Sequence, residues 1–141
     1  MAAHSVISRR FSSSPERRSL EAETGWCRTL MEFAEKYVAK DIVEMGGAEL
    51  EELLFRVFPR EVICEPSDAK SIVLELRAFF TFLKRAYHSP RASACLSILN
   101  GGAARKLERL LGDPANFGIA KLFLMDHGTI APFVRPKSAV V

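Results

Sequence analysis

The sequence predicts an all-α protein, a compact bundle of five to six helices, and three observations lead to this prediction. Apolar residues recur at helical spacing in several segments, most clearly between Ser67 and Tyr87. Pro and Gly fall between these segments, where they end one helix and allow the next to begin. The segment Arg60 to Pro66 contains a short apolar run, Val62 to Cys64, that could form a strand. A lone strand has no partner to complete a ladder, so we interpret this segment as an extended connector packed on the bundle.

Length and composition predict a single domain with two flanking segments. A chain of 141 residues with 48% hydrophobic and 26% charged residues is typical of one ordinary globular domain. We expect a disordered basic arm over residues 1–13, one helical domain over residues 14–128, and an extended tail over residues 129–141.

The arm is assigned from its composition. Residues 1–13 contain Ser and Arg, no acidic residue and no apolar periodicity, which is typical of disorder. An Arg-rich and acid-free start is also found in transit peptides, and that alternative stays open. Residues 1–20 hold four Arg against one Glu, so the net charge of +3 belongs to them and the rest of the chain is about neutral.

Capping and breaking residues set the expected helix bounds. Ser14-Pro15 is a helix start, Gly46-Gly47 breaks the chain, Pro59 ends a helix, and Asn100-Gly101-Gly102 ends another. We expect helices at Thr24 to Lys40, Glu49 to Phe58, Ser67 to His88, Ser89 to Leu99, Ala103 to Leu111, and Asp113 to Gly128.

The helix from Ser67 to His88 is the expected centre of the bundle. It places an apolar stripe on one face and charged residues on the others. Phe79, Phe80 and Phe82 point in three directions around this helix, so we expect Phe82 to meet a second surface. Either a partner or further helices of the same chain could supply that surface.

Two stretches carry a family resemblance. Leu76 to Arg85 (LRAFFTFLKR) and Asp113 to Lys121 (DPANFGIAK) resemble small all-helical bacterial proteins of unknown function. The two stretches cover a minor part of the chain. The resemblance implies an all-α fold and a bacterial origin, and it transfers no functional residue.

No motif indicates catalysis, so we predict no catalytic residue, no cofactor and no metal ligand. The sequence lacks HExxH, GxSxG and GxxxxGK[ST], and the helix dipole accounts for His88 and His127 near expected helix C-termini. Cys27, Cys64 and Cys95 form no CxxC pair, which favours buried thiols in a reducing, cytoplasmic compartment. No apolar run is long enough to span a membrane.

The function that this pattern favours is a non-enzymatic protein-interaction module that associates with itself. Ten Phe on short helices are more than one small core needs, and the tail combines apolar residues with Pro132 and Pro136, which hold it extended. The expected partner-binding residues are Phe82, Ile130, Phe133 and Val134.

Two alternatives stay open. The first is a nucleic-acid-binding regulator that uses a helix-turn-helix-like pair at 103–127 together with the basic arm. Its contacts would be Arg9, Arg10, Arg105, Lys106 and Arg109. The second alternative is a small enzyme or ligand-binding helical protein without a recognisable motif.

Overall fold

The computed structural model describes residues 4–21 and 25–126, which are helical with no strand, and the predicted all-α class is confirmed. The α-helices within residues 4–21 and 25–126 are α1 (His4–Ser12), α2 (Pro15–Arg18), α3 (Trp26–Phe33), α4 (Gly47–Glu52), α5 (Phe58–Glu61), α6 (Ala69–Tyr87), α7 (Ala92–Ile98), α8 (Ala103–Leu111) and α9 (Ile119–Asp126). Two π-helical turns are also present: Ala34–Val38 extends α3, and Leu53–Val57 joins α4 to α5.

Helix α6 is the centre of the fold, as predicted. Its 19 residues contact α2, α3, α7 and α8, and its apolar stripe is buried. Burial of each large apolar side chain contributes roughly 1.5–3 kcal/mol, so this one helix supplies much of the driving force for folding. His88 ends the helix in a left-handed conformation with φ 50°, and its N–H donates to the Leu83 carbonyl.

The prediction that Pro59 ends a helix is wrong, because α5 continues to Glu61. A proline inside a helix lacks an N–H and its ring clashes with the carbonyl four residues earlier. The π turn Leu53–Val57 comes directly before it, and there the Phe58 N–H donates to the Leu53 carbonyl, five residues back. Because a π turn is wider than an α-helical turn, it displaces the backbone carbonyls that precede Pro59, and the helix continues past the proline.

The predicted disordered arm is also wrong over the described residues, because His4–Ser12 forms α1. Ile7 and Phe11 lie one helical turn apart and are each 2% exposed. The Phe11 ring packs against Phe79 and Phe82 at centroid distances of 5.3 and 5.5 Å. Two apolar residues are too few to show a period in the sequence, and only the surface of α6 gives them a place to pack.

The first turn of α3 is capped from another helix. Gly25 precedes α3 with φ 82°, a left-handed conformation that suits glycine, and it has no side chain to offer as a cap. The buried Glu75 carboxylate of α6 supplies the acceptor instead, since the Cys27 N–H donates to its Oε2 at 2.8 Å. Burial, together with Glu75, raises the pKa of the Cys27 thiol.

The predicted connector, Arg60 to Pro66, is extended only from Val62 to Glu65, because Arg60 and Glu61 belong to α5 and Pro66 begins a 3₁₀ turn. Val62, Ile63 and Cys64 are buried, so the connector packs on the bundle between α5 and the 3₁₀ turn Pro66–Asp68. The predicted tail 129–141 lies outside the described residues.

Candidate interaction surfaces

Helix α9 is attached to the rest of the bundle along one edge, at α5. The Gly118 N–H donates to the Arg60 carbonyl at 2.9 Å, and the Lys121 ammonium donates to the Pro59 carbonyl at 2.8 Å. A Cβ at position 118 would lie 3.1 Å from that Arg60 oxygen, a tight contact, so glycine favours the close approach. Pro59 lies in the last turn of α5, where backbone carbonyls have no N–H partner within the helix. Its carbonyl oxygen can therefore accept the hydrogen bond from Lys121.

Lys121 is the unusual polar residue of this attachment, because its side chain is 1% exposed. The ammonium also lies 3.7 Å from the centroid of the Phe117 ring, a cation–π contact. Burial lowers the pKa of Lys121 to about 8. Burial also raises the pKa of the neighbouring Cys64 thiol to about 12, and the Asp68 carboxylate adds to that rise.

With Lys121 turned inward, the apolar residues of α9 face outward. Ile119 is 88% exposed, Met125 39% and Leu122 37%, and we call these three residues the α9 face. The sequence pattern predicts that the last helix buries Phe117, Ala120, Leu122, Phe123 and Leu124. This is wrong for Ala120, Leu122 and Phe123, which are exposed, Phe123 at 59%. The signal that could have located this face is the run Ile119 to Met125, which is apolar on every side except at Lys121.

Phe82 is not available to a partner, so its assignment as a partner-binding residue is corrected. It is 2% exposed, and its ring packs against Phe11 and Tyr87 of the same chain. The second surface that Phe82 needs is therefore α1, the helix that composition assigned to a disordered arm. The other expected partner-binding residues, Ile130, Phe133 and Val134, lie outside the described residues.

Arg9 is exposed on α1, and contacts of Arg10 and Arg85 join the last turn of α6 to α1 and to the first turn of α2. Arg10 donates to the Tyr87 hydroxyl at 3.1 Å and its guanidinium lies 4.8 Å from the ring centroid. Arg85 donates two hydrogen bonds to the Glu16 carboxylate, at 2.7 and 2.9 Å, and these bonds lower the pKa of Glu16. Each of the three helices has two basic residues in its last turn, and these are Arg9 and Arg10 in α1, Arg17 and Arg18 in α2, and Lys84 and Arg85 in α6.

The expected helix-turn-helix pair has a different geometry from the motif. Seven residues, 112–118, separate α8 from α9, whereas the motif uses a turn of about three or four residues. Lys121, the basic residue of the second helix, is buried, and α9 presents apolar side chains. Arg105 and Arg109 are exposed on α8, while Lys106 lies over the Phe55 ring at 4.3 Å.

The structure places the two predicted groups of basic residues on opposite halves of α6. Arg10 reaches Tyr87 at the C-terminal end of α6. Helix α8 instead borders the N-terminal half, where Ala104 and Val73 line one groove and where a Cβ at position 112 would lie 3.6 Å from Pro66. The structure therefore does not join Arg9 and Arg10 to Arg105, Lys106 and Arg109 in one surface.

Two grooves flank the exposed ridge of α6 formed by Lys70, Leu74 and Arg77. The Arg77 guanidinium is engaged there, since it donates to the carbonyls of Leu96 and Leu99 and so caps the end of α7. Within residues 4–21 and 25–126 no cluster of three or more His, Cys, Asp or Glu side chains could hold a metal ion. No helix in the same ranges has the length and apolar content to cross a bilayer.

Comparison with known proteins adds no relative to this description. No family model matches the chain, and neither a curated protein nor a solved structure matches it. The class that the fold defines is an irregular all-α bundle, and its function has to be argued from the chain's own surfaces.

Proposed function

We propose that this protein is a non-enzymatic helical interaction module that associates with a second copy of itself through the α9 face and the segment that follows it. The observation that carries the proposal is the exposure of Ile119, Leu122 and Met125 on a helix that the buried Lys121 attaches to α5. Large apolar groups that share one exposed helix face mark an interaction site more often than single exposed residues do.

A second copy suits this face because the face lacks charge. An apolar surface without ionic groups is complementary to itself, which a two-fold symmetric interface requires. A charged partner would leave its own groups unpaired against this helix, and that costs free energy. The apolar side chains of α9 would then pack against the same side chains of the other copy.

The α9 face by itself is too small for a stable dimer. Standard interfaces use about 20–30 residues on each side, so three side chains of one helix need an extension. Ile130, Phe133 and Val134 follow α9 directly in the sequence and are apolar. We propose that they complete the interface, which keeps them as candidate partner-binding residues.

A reducing, cytoplasmic location is part of the same proposal. Cys27, Cys64 and Cys95 are free thiols and are buried. Free buried thiols without a disulfide are typical of proteins kept in reducing compartments.

Light scattering coupled to size-exclusion chromatography tests the proposal. We expect the protein to elute as a dimer at concentrations of about 100 µM, and to dissociate on dilution if the affinity is moderate. The double variant Ile119→Asp, Leu122→Asp should be a monomer, because two carboxylates would be buried unpaired in the interface. The matched control is Leu74→Asp, which changes an apolar side chain that is 50% exposed on α6 and should leave the mass unchanged.

Removal of residues 129–141 tests whether this segment completes the dimer interface or covers the α9 face of its own chain. Conversion of a dimer into a monomer by this truncation supports the proposal. A monomeric full-length chain overturns it. A monomer that associates only after truncation would show that the segment covers the α9 face of its own chain, which also overturns self-association.

A further inference from the structure

The groove between α6 and the turn that joins α7 to α8 indicates a second site, separate from the α9 face and independent of the proposed self-association. We propose that this groove binds a medium-chain fatty carboxylate, a small molecule with a straight apolar chain and one anionic end. The proposal rests on the volume and apolar floor of the groove, on the Lys70 ammonium at its rim, and on the distance along α6 between its two ends.

The groove has the size and the lining of a small-molecule site. Its volume is about 490 Å³, and small-molecule sites typically have about 300–1,000 Å³. Its apolar lining comes from both sides, with Val73 and Leu74 on α6 and with Leu96, Leu99 and Ala104 on the side of α7 and α8. Val73 and Leu99 are buried, whereas Leu74 is 50% exposed, so an apolar chain in the groove would remove Leu74 from water. A protein partner would need a surface of about 20–30 residues, far more than line this groove.

Lys70 is the group at the rim that can bind an anion. Its side chain is exposed, and its ammonium makes no hydrogen bond or ion pair within residues 4–21 and 25–126. Arg77 and Asn100 also line the groove, but Arg77 donates to two carbonyls at the end of α7, and the Asn100 amide both donates and accepts within its own turn. The described residues that line the groove include no carboxylate, so the groove favours an anion. One ammonium balances one carboxylate, whereas a phosphate group carries up to two negative charges.

The groove on the other side of the α6 ridge is less suitable for an anion. It shares Lys70 with the first groove, but Glu21 and Glu75 line it as well. The Glu75 carboxylate is fixed there, because it accepts the hydrogen bond from the Cys27 N–H. A carboxylate ligand would meet like charge on that side. The apolar chain of the ligand therefore belongs on the side of α7 and α8.

The positions of Lys70 and Arg77 set the length of the ligand. Arg77 follows Lys70 by seven positions in α6, which corresponds to roughly 10 Å along the helix axis. Arg77 also bridges α6 and the end of α7, and so closes that end of the groove. A carboxylate at Lys70 leaves the apolar floor between the two residues for the chain, and a straight chain of about eight carbons suits this span.

Titration with octanoate, followed by the amide NMR signals of the labelled protein, tests the proposal. Octanoate should bind with a dissociation constant of about 0.1–1 mM, and the largest shifts should occur at Val73, Leu74, Leu99, Gly101 and Ala104, which line the groove. Neutral 1-octanol lacks the anionic end and should bind about fivefold more weakly. Acetate lacks the apolar chain and should cause no comparable shifts at the same concentrations.

The variant Lys70→Gln tests the anionic end. It should weaken octanoate binding about fivefold and leave 1-octanol binding unchanged, because only the carboxylate loses its partner. The matched control is Lys84→Gln, which removes another exposed ammonium from α6 at a position that does not line the groove. This control should bind octanoate within about twofold of wild type. Equal octanoate affinities of wild type and Lys70→Gln would overturn the proposal, and so would equal losses in Lys70→Gln and Lys84→Gln.

The monomeric variant Ile119→Asp, Leu122→Asp separates this site from the α9 face. Octanoate should bind it as tightly as it binds wild type, whether or not wild type is a dimer, because the groove shares no residue with the α9 face. Loss of binding in this variant, or largest shifts on α9 in wild type, would place the ligand on the α9 face and overturn the proposal. Absence of octanoate binding to wild type would overturn it as well.

Discussion

Lys121 sets the behaviour of α9 at the scale of single residues. Its ammonium is removed from water and receives one carbonyl and one aromatic ring in return. The folded state therefore holds this charge at a cost, which burial of the apolar stem of the side chain offsets in part. The attachment of α9 to α5 therefore depends on the Lys121 ammonium, whose pKa burial lowers to about 8.

The pH dependence of stability follows from this depressed pKa. Below about pH 8 the ammonium is charged in both states, so the folded state carries the full cost of burying it. Between about 8 and the ordinary value of 10.5 the folded state gives up the proton while the unfolded state keeps it. Stability should therefore rise with pH in this window, by at most about 3 kcal/mol.

The buried thiols act in the opposite direction and require a reference variant. Burial raises the pKa values of Cys64 and Cys95 to about 12 from an ordinary 9.0, so above pH 9 the unfolded state loses thiol protons first and stability falls. The contributions of the Cys64 and Cys95 thiols are present in the variant Lys121→Met as well. We expect wild type to gain about 2 kcal/mol over Lys121→Met between about pH 7 and 9.5, measured by urea unfolding.

A control for this prediction is Lys84→Met, which removes an exposed ammonium and so relieves no burial cost. Parallel stability curves for wild type and Lys121→Met would show that the ammonium is solvated in the folded protein, contrary to the burial described above.

At the scale of helices, α1 closes the core over α6. Phe11 covers Phe79 and Phe82, and Ser14 forms the joint to α2. The Ser14 hydroxyl donates to the Phe11 carbonyl at 2.7 Å and accepts from the Arg17 N–H at 3.1 Å. A helix of nine residues is not stable in isolation, so its order depends on this packing.

Removal of residues 1–13 should therefore destabilise the protein, although a disordered arm would be dispensable. We expect a loss of roughly 3–5 kcal/mol and a melting temperature lower by about 10 °C, because two phenylalanines of α6 lose their cover. Phe11→Ala should account for most of the loss, while Val6→Ala on the exposed side of the same helix should change stability by less than about 0.5 kcal/mol. Thermal melts followed by circular dichroism measure all three, and an unchanged melt of the truncated chain would contradict the packing of α1.

At the scale of the whole molecule, self-association couples stability to concentration. If the native state is a dimer, a 100-fold increase in protein concentration should raise the melting temperature by about 5 °C. The variant Ile119→Asp, Leu122→Asp should lose this dependence, since its folded form is a monomer. Calorimetry at several concentrations measures the effect, and a wild-type melting temperature that is independent of concentration would contradict a dimer of this kind.

Local sequence determined the fold class and the central helix. The stripe of Ile72, Leu76, Phe79, Phe80 and Leu83 has one period, and a helix is the structure that collects those residues on one side. The connector after α5 was predictable for a similar reason, since its apolar run of three residues is too short to form a helix of its own. These features depend on neighbours in the sequence, and the sequence contains them in full.

Tertiary structure decided which apolar and charged residues are covered. The sequence predicts that Phe82 meets a second surface, and the structure shows that α1 is that surface. The structure also shows that Lys121 is buried, with its ammonium donating to the Pro59 carbonyl. Pro59 itself stays inside a helix because the preceding turn widens. The physical reason is the same in each case: burial is a property of two surfaces that meet, and the second surface comes from a distant part of the chain.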